Sequence, residues 1–182
     1  MGSMKKNPRS KFYELLQAQI RNEFHASQQY VAVAVWYDGK DLPQLAGHFY
    51  RQALEERNHA MALVQYLLDT DHHVEIPDVP QVRNDFADIR EPVALALAQE
   101  QEVQADFVQL AKVARDEDDF TGSEFVQWFL KEQVEEIASM KRLLNVIDMA
   151  KGNVFDVEQF LFREPVGEEA DSTMPPVAGG KL

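Results

Sequence analysis

Four long segments of this chain repeat apolar residues at spacings of three and four, and this periodicity most constrains the fold. The segments cover about 10–37, 43–71, 92–117 and 121–150. Apolar residues at these spacings form one face of an α-helix, and helices of roughly 28 residues extend about 40 Å. Alternating runs bounded by hairpin turns are weak in the sequence. The pattern therefore predicts an all-α protein.

The connections between these segments predict how the helices are arranged. A short link near Gly39 joins the first two segments, and another near Phe120 joins the last two, so each pair is predicted to form an antiparallel hairpin. The segment 72–89 contains two prolines and lacks a helical period, but it is long enough to run the length of a bundle. We expect a four-helix bundle with one long crossover.

Polar residues at the expected helix starts support these boundaries. Asp88 with Glu91, and Thr121 with Glu124, have the spacing of capping boxes and are predicted to open the third and fourth helices. Asn153 is predicted to cap a short fifth helix.

The ends of the chain differ from its centre in composition. The sequence Met-Gly-Ser before a second Met is typical of a tag remnant, so residues 1–9 are interpreted as that remnant with an N-terminal extension. Residues 10–164 are predicted to form one domain. From Pro165 onward Glu, Pro, Gly and Ser dominate, which predicts a disordered tail over 165–182.

Composition excludes several classes of function. The formal net charge is −13, so the chain is expected to repel nucleic acid and anionic lipid and to attract cations. The absence of cysteine excludes disulfides, cysteine-type zinc sites and iron–sulfur clusters. No apolar run approaches the roughly 18 residues of a membrane span, and no signal peptide is visible. We expect a cytoplasmic protein without membrane or nucleic-acid partners.

Each apolar stripe is interrupted near its middle by one glutamate. These are Glu23, Glu56, Glu100 and Glu136. Measured from the turn near Lys40, the first two lie at nearly the same depth, with a mismatch of about 1.5 Å along the axis. Measured from the turn near Phe120, the other two differ by about 6 Å. We therefore expect all four carboxylates at mid-bundle.

Four buried carboxylates would repel one another, and two solutions remain open. The acids could be protonated with raised pKa values, or multivalent cations could lie among them. His59 favours the second solution, because it lies three residues after Glu56 on the same helix face. Several carboxylates with one imidazole suit iron(II), manganese or zinc. The alternative for any one of these residues is an imperfect stripe whose long side chain reaches water.

With these residues in place, the sequence resembles the bacterial non-haem ferritins over about 12–163. The resemblance rests on Asn22-Glu23 with Tyr30 two turns on, on the run from Glu55 to Ala60, on Glu100, and on the run from Trp128 to Glu136. It implies a ferritin-like bundle with a di-iron centre that oxidises iron(II) with O2 or peroxide. It also implies a hollow homo-oligomeric shell of roughly 24 subunits that stores the iron as a mineral, with the fifth helix at four-fold contacts.

The resemblance implies a role for each matching residue. Glu23, Glu56 and His59 would hold the first iron, and Glu56 would bridge to a second iron held also by Glu100 and Glu136. Gln133 would be a supporting partner or weak ligand, and Tyr30 a hydrogen-bonding or redox-active neighbour. A third, inner-surface iron site would involve Glu55, Glu132, Glu135 and also Glu136; the alternative for the first three is an acidic solvated face.

Two further expectations follow from the same comparison. Haem is not expected, because Arg57 follows Glu56 where haem-binding bacterioferritins carry Met, and Ser139 stands where their second His would be. Asp119 and Glu124 are candidates for a cation pore, although acids at a helix start are the alternative.

Two other functional classes remain open at this point. One is a di-iron oxidase or oxygenase acting on an organic substrate, which needs an apolar cavity beside the metals. The other is a structural shell without chemistry.

Overall fold

The computed structural model describes residues 10–164 and 173–182, and five helices account for most of them. They are α1 (Lys11–Asp38), α2 (Pro43–Asp69), α3 (Glu91–Asp116), α4 (Phe120–Ala150) and α5 (Val154–Arg163). No strand occurs within the described ranges. The predicted all-α four-helix bundle with a long crossover and a short fifth helix is confirmed. Residues 1–9, predicted to be a remnant and extension, lie outside the described residues.

The crossover between α2 and α3 is fastened along α1 by glutamine side chains. Gln29 donates to the backbone oxygen of Arg83 and accepts from its backbone nitrogen, both at 2.8 Å. Gln17 makes the same pair of bonds with the backbone of Glu75. The crossover therefore runs parallel to α1 and returns the chain to the opposite end of the bundle, where α3 begins.

Distant glutamates satisfy the free backbone N–H groups at two helix starts. Glu158 on α5 accepts from the backbone nitrogens of Gln44 and Leu45 at 2.8 and 2.9 Å, at the start of α2. Glu117, just after α3, accepts from the backbone nitrogen of Lys11 at 2.7 Å. Helix starts leave such donors without an intrahelical partner, so these contacts fix α1 and α2 to the rest of the bundle.

Asp88 and Glu91 bind backbone groups at the approach to α3, but the helix begins at Glu91 with Arg90 at its N-cap, so the predicted box lies just before the helix. The box predicted for α4 is wrong. Asp88 accepts from the backbone nitrogen of Glu91 at 2.9 Å, and the Glu91 side chain reaches back to the nitrogen of Ala87 at 2.6 Å. At α4 the cap is Asp119, which accepts from the backbone nitrogen of Gly122 at 2.7 Å, so the helix begins at Phe120. Thr121 therefore lies inside the helix rather than at its cap.

The apolar core consists of two clusters, one toward each end of the bundle. One includes Phe49, Ala96 and Met140, and the other includes Leu63, Phe107 and Phe129. The four stripe glutamates lie in the sequence between the residues of these clusters on every long helix. The fold thus places a polar layer between two apolar ones.

Gly122 in the first turn of α4 is required by packing against α1. A Cβ atom on Gly122 would lie 2.5 Å from Cε1 of the buried Phe12 and 2.6 Å from a carboxylate oxygen of Asp119. We expect Gly122→Ala to lower the free energy of unfolding by about 1 to 3 kcal/mol, because overpacking outweighs the gain of about 1 kcal/mol in helix propensity. Thermal unfolding followed by circular dichroism measures the change.

Gly47 on α2 is the matched control for this prediction. A Cβ there would meet only Arg51 Nη1, at 3.4 Å, so Gly47→Ala is expected to be neutral or stabilising. A Gly122→Ala protein as stable as its Gly47→Ala counterpart would contradict this explanation of the close approach.

The described part of the C-terminal tail lies against the bundle, which differs from the predicted disorder. Ala178 donates its backbone N–H to the Met61 oxygen at 3.2 Å, and Leu182 donates to Asn58 Oδ1 at 3.3 Å. Met174 and Val177 pack against the apolar cluster that contains Phe129. These apolar side chains give the segment a surface to bury, which its polar composition obscured. Residues 165–172 lie outside the described residues.

Candidate metal centre

The four stripe glutamates are all buried at the centre of the bundle. Glu23 and Glu56 have no exposed side-chain surface, and Glu100 and Glu136 are 1% and 2% exposed. Each comes from a different long helix, because each long helix turns its apolar stripe toward the same axis. Carboxylates are almost never fully buried without a partner, so the group points to chemistry rather than packing.

Glu23, Glu56 and His59 form the tightest part of this group. His59 Nδ1 lies 3.5 Å from Glu56 Oε2 and 3.8 Å from Glu23 Oε2. One donor atom from each residue lies within 4.8 Å of the others, a spacing at which a single ion can contact all three. His59 is held in place by Trp128 and Phe129, whose rings meet it edge to face at 5.6 and 5.8 Å.

Several ligand atoms at this place lack hydrogen bonds. Among the described residues, Glu23 Oε2, both Glu56 carboxylate oxygens and His59 Nδ1 are buried without a hydrogen-bond partner. A buried polar atom without a partner costs about 1–3 kcal/mol, and more for charged groups. A cation among them would satisfy all four atoms, so their arrangement fits a metal site.

Glu100, from α3, is held in the same layer by two side chains. The Tyr30 hydroxyl donates to Glu100 Oε1, and Gln133 Nε2 donates to Glu100 Oε2 at 3.2 Å. Tyr30 and Gln133 are themselves buried, at 0% and 1% exposure. Both carboxylate oxygens are therefore oriented by neighbours from α1 and α4. Glu136, one turn after Gln133, is close enough to Tyr30 that its charge raises the pKa of the phenol.

Burial and mutual repulsion strongly change the pKa values of the side chains in this layer. Burial, followed by the charge of Glu100, raises the pKa of Glu56 well above its usual value. Burial also raises the pKa of Glu100 to about 7, although the Tyr30 hydrogen bond opposes this effect. Burial lowers the pKa of His59, but Glu56 and Glu23 outweigh it, so the pKa of His59 is raised overall. The layer therefore retains protons that the same groups would lose in water.

The residues expected at a third site differ in how far they are buried. Glu132 is buried, Glu55 is half-buried and accepts from Gln52, and Glu135 is exposed. The charge of Glu55 contributes to the raised pKa of Glu100, which places Glu55 near the centre. A site formed by Glu55, Glu132 and Glu135 stays a prediction.

The two pore candidates differ in their surroundings. Asp119 caps α4 through one carboxylate oxygen, whereas Glu124 is exposed on the same helix. Capping accounts for an acid at position 119 without a pore.

No helix in the described part of the chain is long and apolar enough to cross a bilayer.

Sequence reasoning missed one buried residue of the site, Gln19. Its Nε2 donates to Glu23 Oε1 at 2.7 Å, and its side chain is 2% exposed. The available signal was its position one turn before Glu23, on the same face of α1. A glutamine beside an apolar stripe is otherwise common, so the spacing alone did not identify it.

The arrangement is a carboxylate-rich helical bundle with a group that could hold a metal ion, and comparisons with known proteins identify its family. Residues 13–150 match the profile of the ferritin-like domain. The chain is 58% identical to ferritin BfrB of Mycolicibacterium smegmatis, over 95% of this chain and 96% of that one. It is 36% identical to the bacterial non-heme ferritin of Staphylococcus aureus, over 74% of this chain and 81% of that one. The chain belongs to the ferritin family.

A solved structure supports the fold independently of the close relatives. The open-pore ferritin of Archaeoglobus fulgidus superposes with a TM-score of 0.82 at 23% identity, covering 92% of this chain and all of that one. At this identity the likeness establishes the fold alone. The predicted membership of the bacterial ferritins, made from Glu23, Glu56, His59 and the run ending at Glu136, is confirmed.

Proposed function

We propose that this iron-storage ferritin oxidises iron(II) at the layer of buried acids before storing the product as a mineral. One observation carries the proposal: three side chains from α1 and α2 direct unpartnered donor atoms at one point deep inside the bundle. Carboxylate oxygens are hard donors and favour iron(III) over iron(II). A site made of such donors therefore promotes loss of an electron from the bound ion.

The proposed ligand assignment is the one that the resemblance to bacterial ferritins implies. Glu23, Glu56 and His59 bind one iron ion, and Glu56 is shared with a second ion bound by Glu100 and Glu136. Gln133 and Tyr30 orient Glu100, and each donates a hydrogen bond to it. Two ions that share Glu56 can each transfer one electron to the same O2 or peroxide molecule. The second ion has no imidazole, so we propose that it is the more weakly held.

Protonation of the acids and binding of cations, the two alternatives left open by the sequence, then describe two states of one site. Without metal, the raised pKa values of Glu56 and Glu100 keep protons in the layer. Iron(II) binding requires ionised carboxylates, so entry of the ions releases those protons. The buried carboxylates thus lower the stability of the metal-free protein and provide the ligands that make iron binding favourable.

A homo-oligomeric shell is the expected setting for this chemistry. The short helix α5 presents Phe155 and Phe162 to solvent at 85% and 73% exposure, and Met149 nearby is 72% exposed. Large exposed apolar side chains of this kind are typical of surfaces that another chain covers. We propose contacts between copies of this chain there, in a shell of roughly 24 subunits with a mass near half a megadalton.

Haem is not expected in this shell, and we propose iron as its cargo. Arg57 occupies the position after Glu56, and Ser139 is half-buried on α4. Neither side chain is the Met or His expected for haem. The absence of a Soret band from protein purified without reconstitution would agree with this assignment, and a stoichiometric band would contradict it.

Aerobic addition of iron(II), followed by ultraviolet absorbance, tests the proposed oxidation. The protein is expected to exceed the protein-free rate and to retain the iron in a particle of shell size on gel filtration. A rate equal to the protein-free rate would contradict the oxidation step. A monomer or dimer that still oxidised iron would instead favour an oxidase of organic substrates. That alternative needs space beside the metals, where Phe107, Phe129 and Met140 are buried in the apolar clusters.

A further inference from the structure

We propose that Gln19 and Asn22 are positioning residues that hold Glu23 as a ligand through one oxygen only. The inference rests on the proposed function, because it concerns how Glu23 meets the ion. Gln19 Nε2 donates to Glu23 Oε1 at 2.7 Å, whereas Glu23 Oε2 has no hydrogen-bond partner among the described residues. It is this second oxygen that lies 3.8 Å from His59 Nδ1. One oxygen is therefore occupied, and the other faces the metal position.

Asn22 fixes which way the Gln19 amide points. Asn22 Nδ2 donates to Gln19 Oε1 at 3.1 Å and to Asp106 Oδ2, also at 3.1 Å. Because Gln19 Oε1 accepts from Asn22, the NH2 group of Gln19 must face Glu23. An ionised carboxylate can only accept, so Asp106 fixes the Asn22 amide in the same way. The two amides, Asn22 and Gln19, therefore link the exposed carboxylate of Asp106 to the buried carboxylate of Glu23 by hydrogen bonds.

The chain of hydrogen bonds crosses from α3 to α1 and ends at the metal position. Asp106 is exposed on α3, Asn22 is half-buried, and Gln19 and Glu23 are buried on α1. A carboxylate that binds through both oxygens occupies two positions on the ion. The hydrogen bond from Gln19 competes with the ion for Oε1, so Glu23 occupies one position through Oε2 and leaves another open for an oxidant. Partners that orient a metal ligand typically change metal affinity or activity by about 10- to 100-fold when they are removed.

The test uses cobalt(II) binding to the full-length protein, with Gln19→Met as the main variant. Methionine keeps the unbranched shape of glutamine and removes the donor. We expect the affinity of the tightest cobalt(II) site to fall about tenfold or more. We also expect weaker visible d–d bands, because Glu23 then binds through both oxygens and the coordination number rises. Gln65→Met is the matched control: Gln65 donates to Asp69 one turn on at 2.7 Å, but on the exposed surface of α2.

Asn22→Leu provides a second variant that leaves Gln19 and Glu23 in place. It removes the donor to Gln19 Oε1, so the Gln19 amide can rotate and the cobalt(II) affinity is expected to fall as well, by a smaller factor. Circular dichroism and gel filtration establish that each variant is folded and assembled. Folded Gln19→Met and Asn22→Leu proteins with the cobalt(II) affinity and spectrum of Gln65→Met would overturn the proposal.

The outcomes separate this proposal from the proposed function. If the unaltered protein binds no cobalt(II) in the bundle and does not accelerate iron oxidation, the proposed function fails. If it does both and Gln19→Met behaves like the control, only the positioning role fails. If Gln19→Met loses affinity and its d–d bands weaken, both are supported.

Discussion

Replacing Glu56 with alanine is expected to lower the initial rate of aerobic iron(II) oxidation by about 100-fold or more. Glu56 is the residue that both proposed iron positions share, so its loss removes a ligand from each ion at once. Even residues that only orient a ligand typically change affinity or activity by about 10- to 100-fold. A shared ligand should exceed that range. Stopped-flow absorbance at a fixed ratio of iron to subunit measures the rate.

Two further variants make this experiment specific. Glu102→Ala removes an exposed carboxylate from α3, two residues from Glu100, and is expected to retain most of the rate. Glu56→Gln keeps the shape of the side chain but not its charge, and is expected to lose the rate like alanine. A Glu56→Ala protein that oxidises iron as fast as Glu102→Ala would contradict the role assigned to the layer.

Glu56→Gln is also expected to stabilise the metal-free protein. Neither Glu56 oxygen has a hydrogen-bond partner among the described residues, and burial raises the pKa of this group. A carboxyl whose pKa is raised in the folded state costs stability at neutral pH, because the unfolded chain can ionise it freely. Glutamine removes this cost, so Glu56→Gln is expected to unfold at a higher temperature than the unaltered protein near neutral pH. Opposite signs for stability and activity are typical of a functional site and not of a core defect.

Without metal, the protein is expected to lose stability as the pH rises from about 4.5 to about 7. Burial raises the pKa of Glu100 from 4.5 to about 7, so between these values the folded state binds more protons than the unfolded state. Stability then falls with rising pH. His59 acts in the same direction, because its pKa is raised above 6.5 and its stabilising proton is lost at high pH. A tenfold difference in proton affinity between the folded and unfolded states corresponds to about 1.4 kcal/mol.

Cobalt(II) is expected to reverse this dependence on pH. Protons compete with the metal for Glu56, Glu100 and His59, so saturating cobalt(II) stabilises the protein more at about pH 7.5 than at about pH 5. Melting temperatures with and without the metal at both values measure the effect. Glu100→Gln is expected to flatten the metal-free dependence. A metal-free protein that becomes more stable over this range, or identical slopes with and without cobalt(II), would contradict the proposed proton competition.

The central layer was predictable because its residues interrupt a regular pattern. A glutamate within each apolar stripe stands out at a spacing of three or four, and His59 adds a second ligand type on the same face as Glu56. Helix length and the position of the turns then place the four acids at one depth. Periodicity and the turn positions therefore predicted the fold class, with which the ferritin-like profile agrees. They also predicted the four glutamates and His59 as candidate ligands, and that assignment stays a prediction.

Contacts between distant segments could not be read in the same way. Glu117 and Glu158 cap α1 and α2 from remote parts of the chain, and nothing in their local sequence announces this. Asp119 rather than Thr121 caps α4, through its bond to the Gly122 nitrogen, although both residues are typical of helix caps. Gln19 could be assigned to the site only from its hydrogen bonds to Glu23 and Asn22, which the sequence does not show.

The most direct measurement is anomalous scattering at the iron edge from crystals soaked anaerobically in iron(II). We expect two peaks inside each bundle, one bounded by Glu23 and His59 and the other by Glu100 and Glu136, with Glu56 between them. Loaded crystals without a peak at this depth, and with these side chains turned toward solvent, would contradict the assignment of a metal centre to the buried acids.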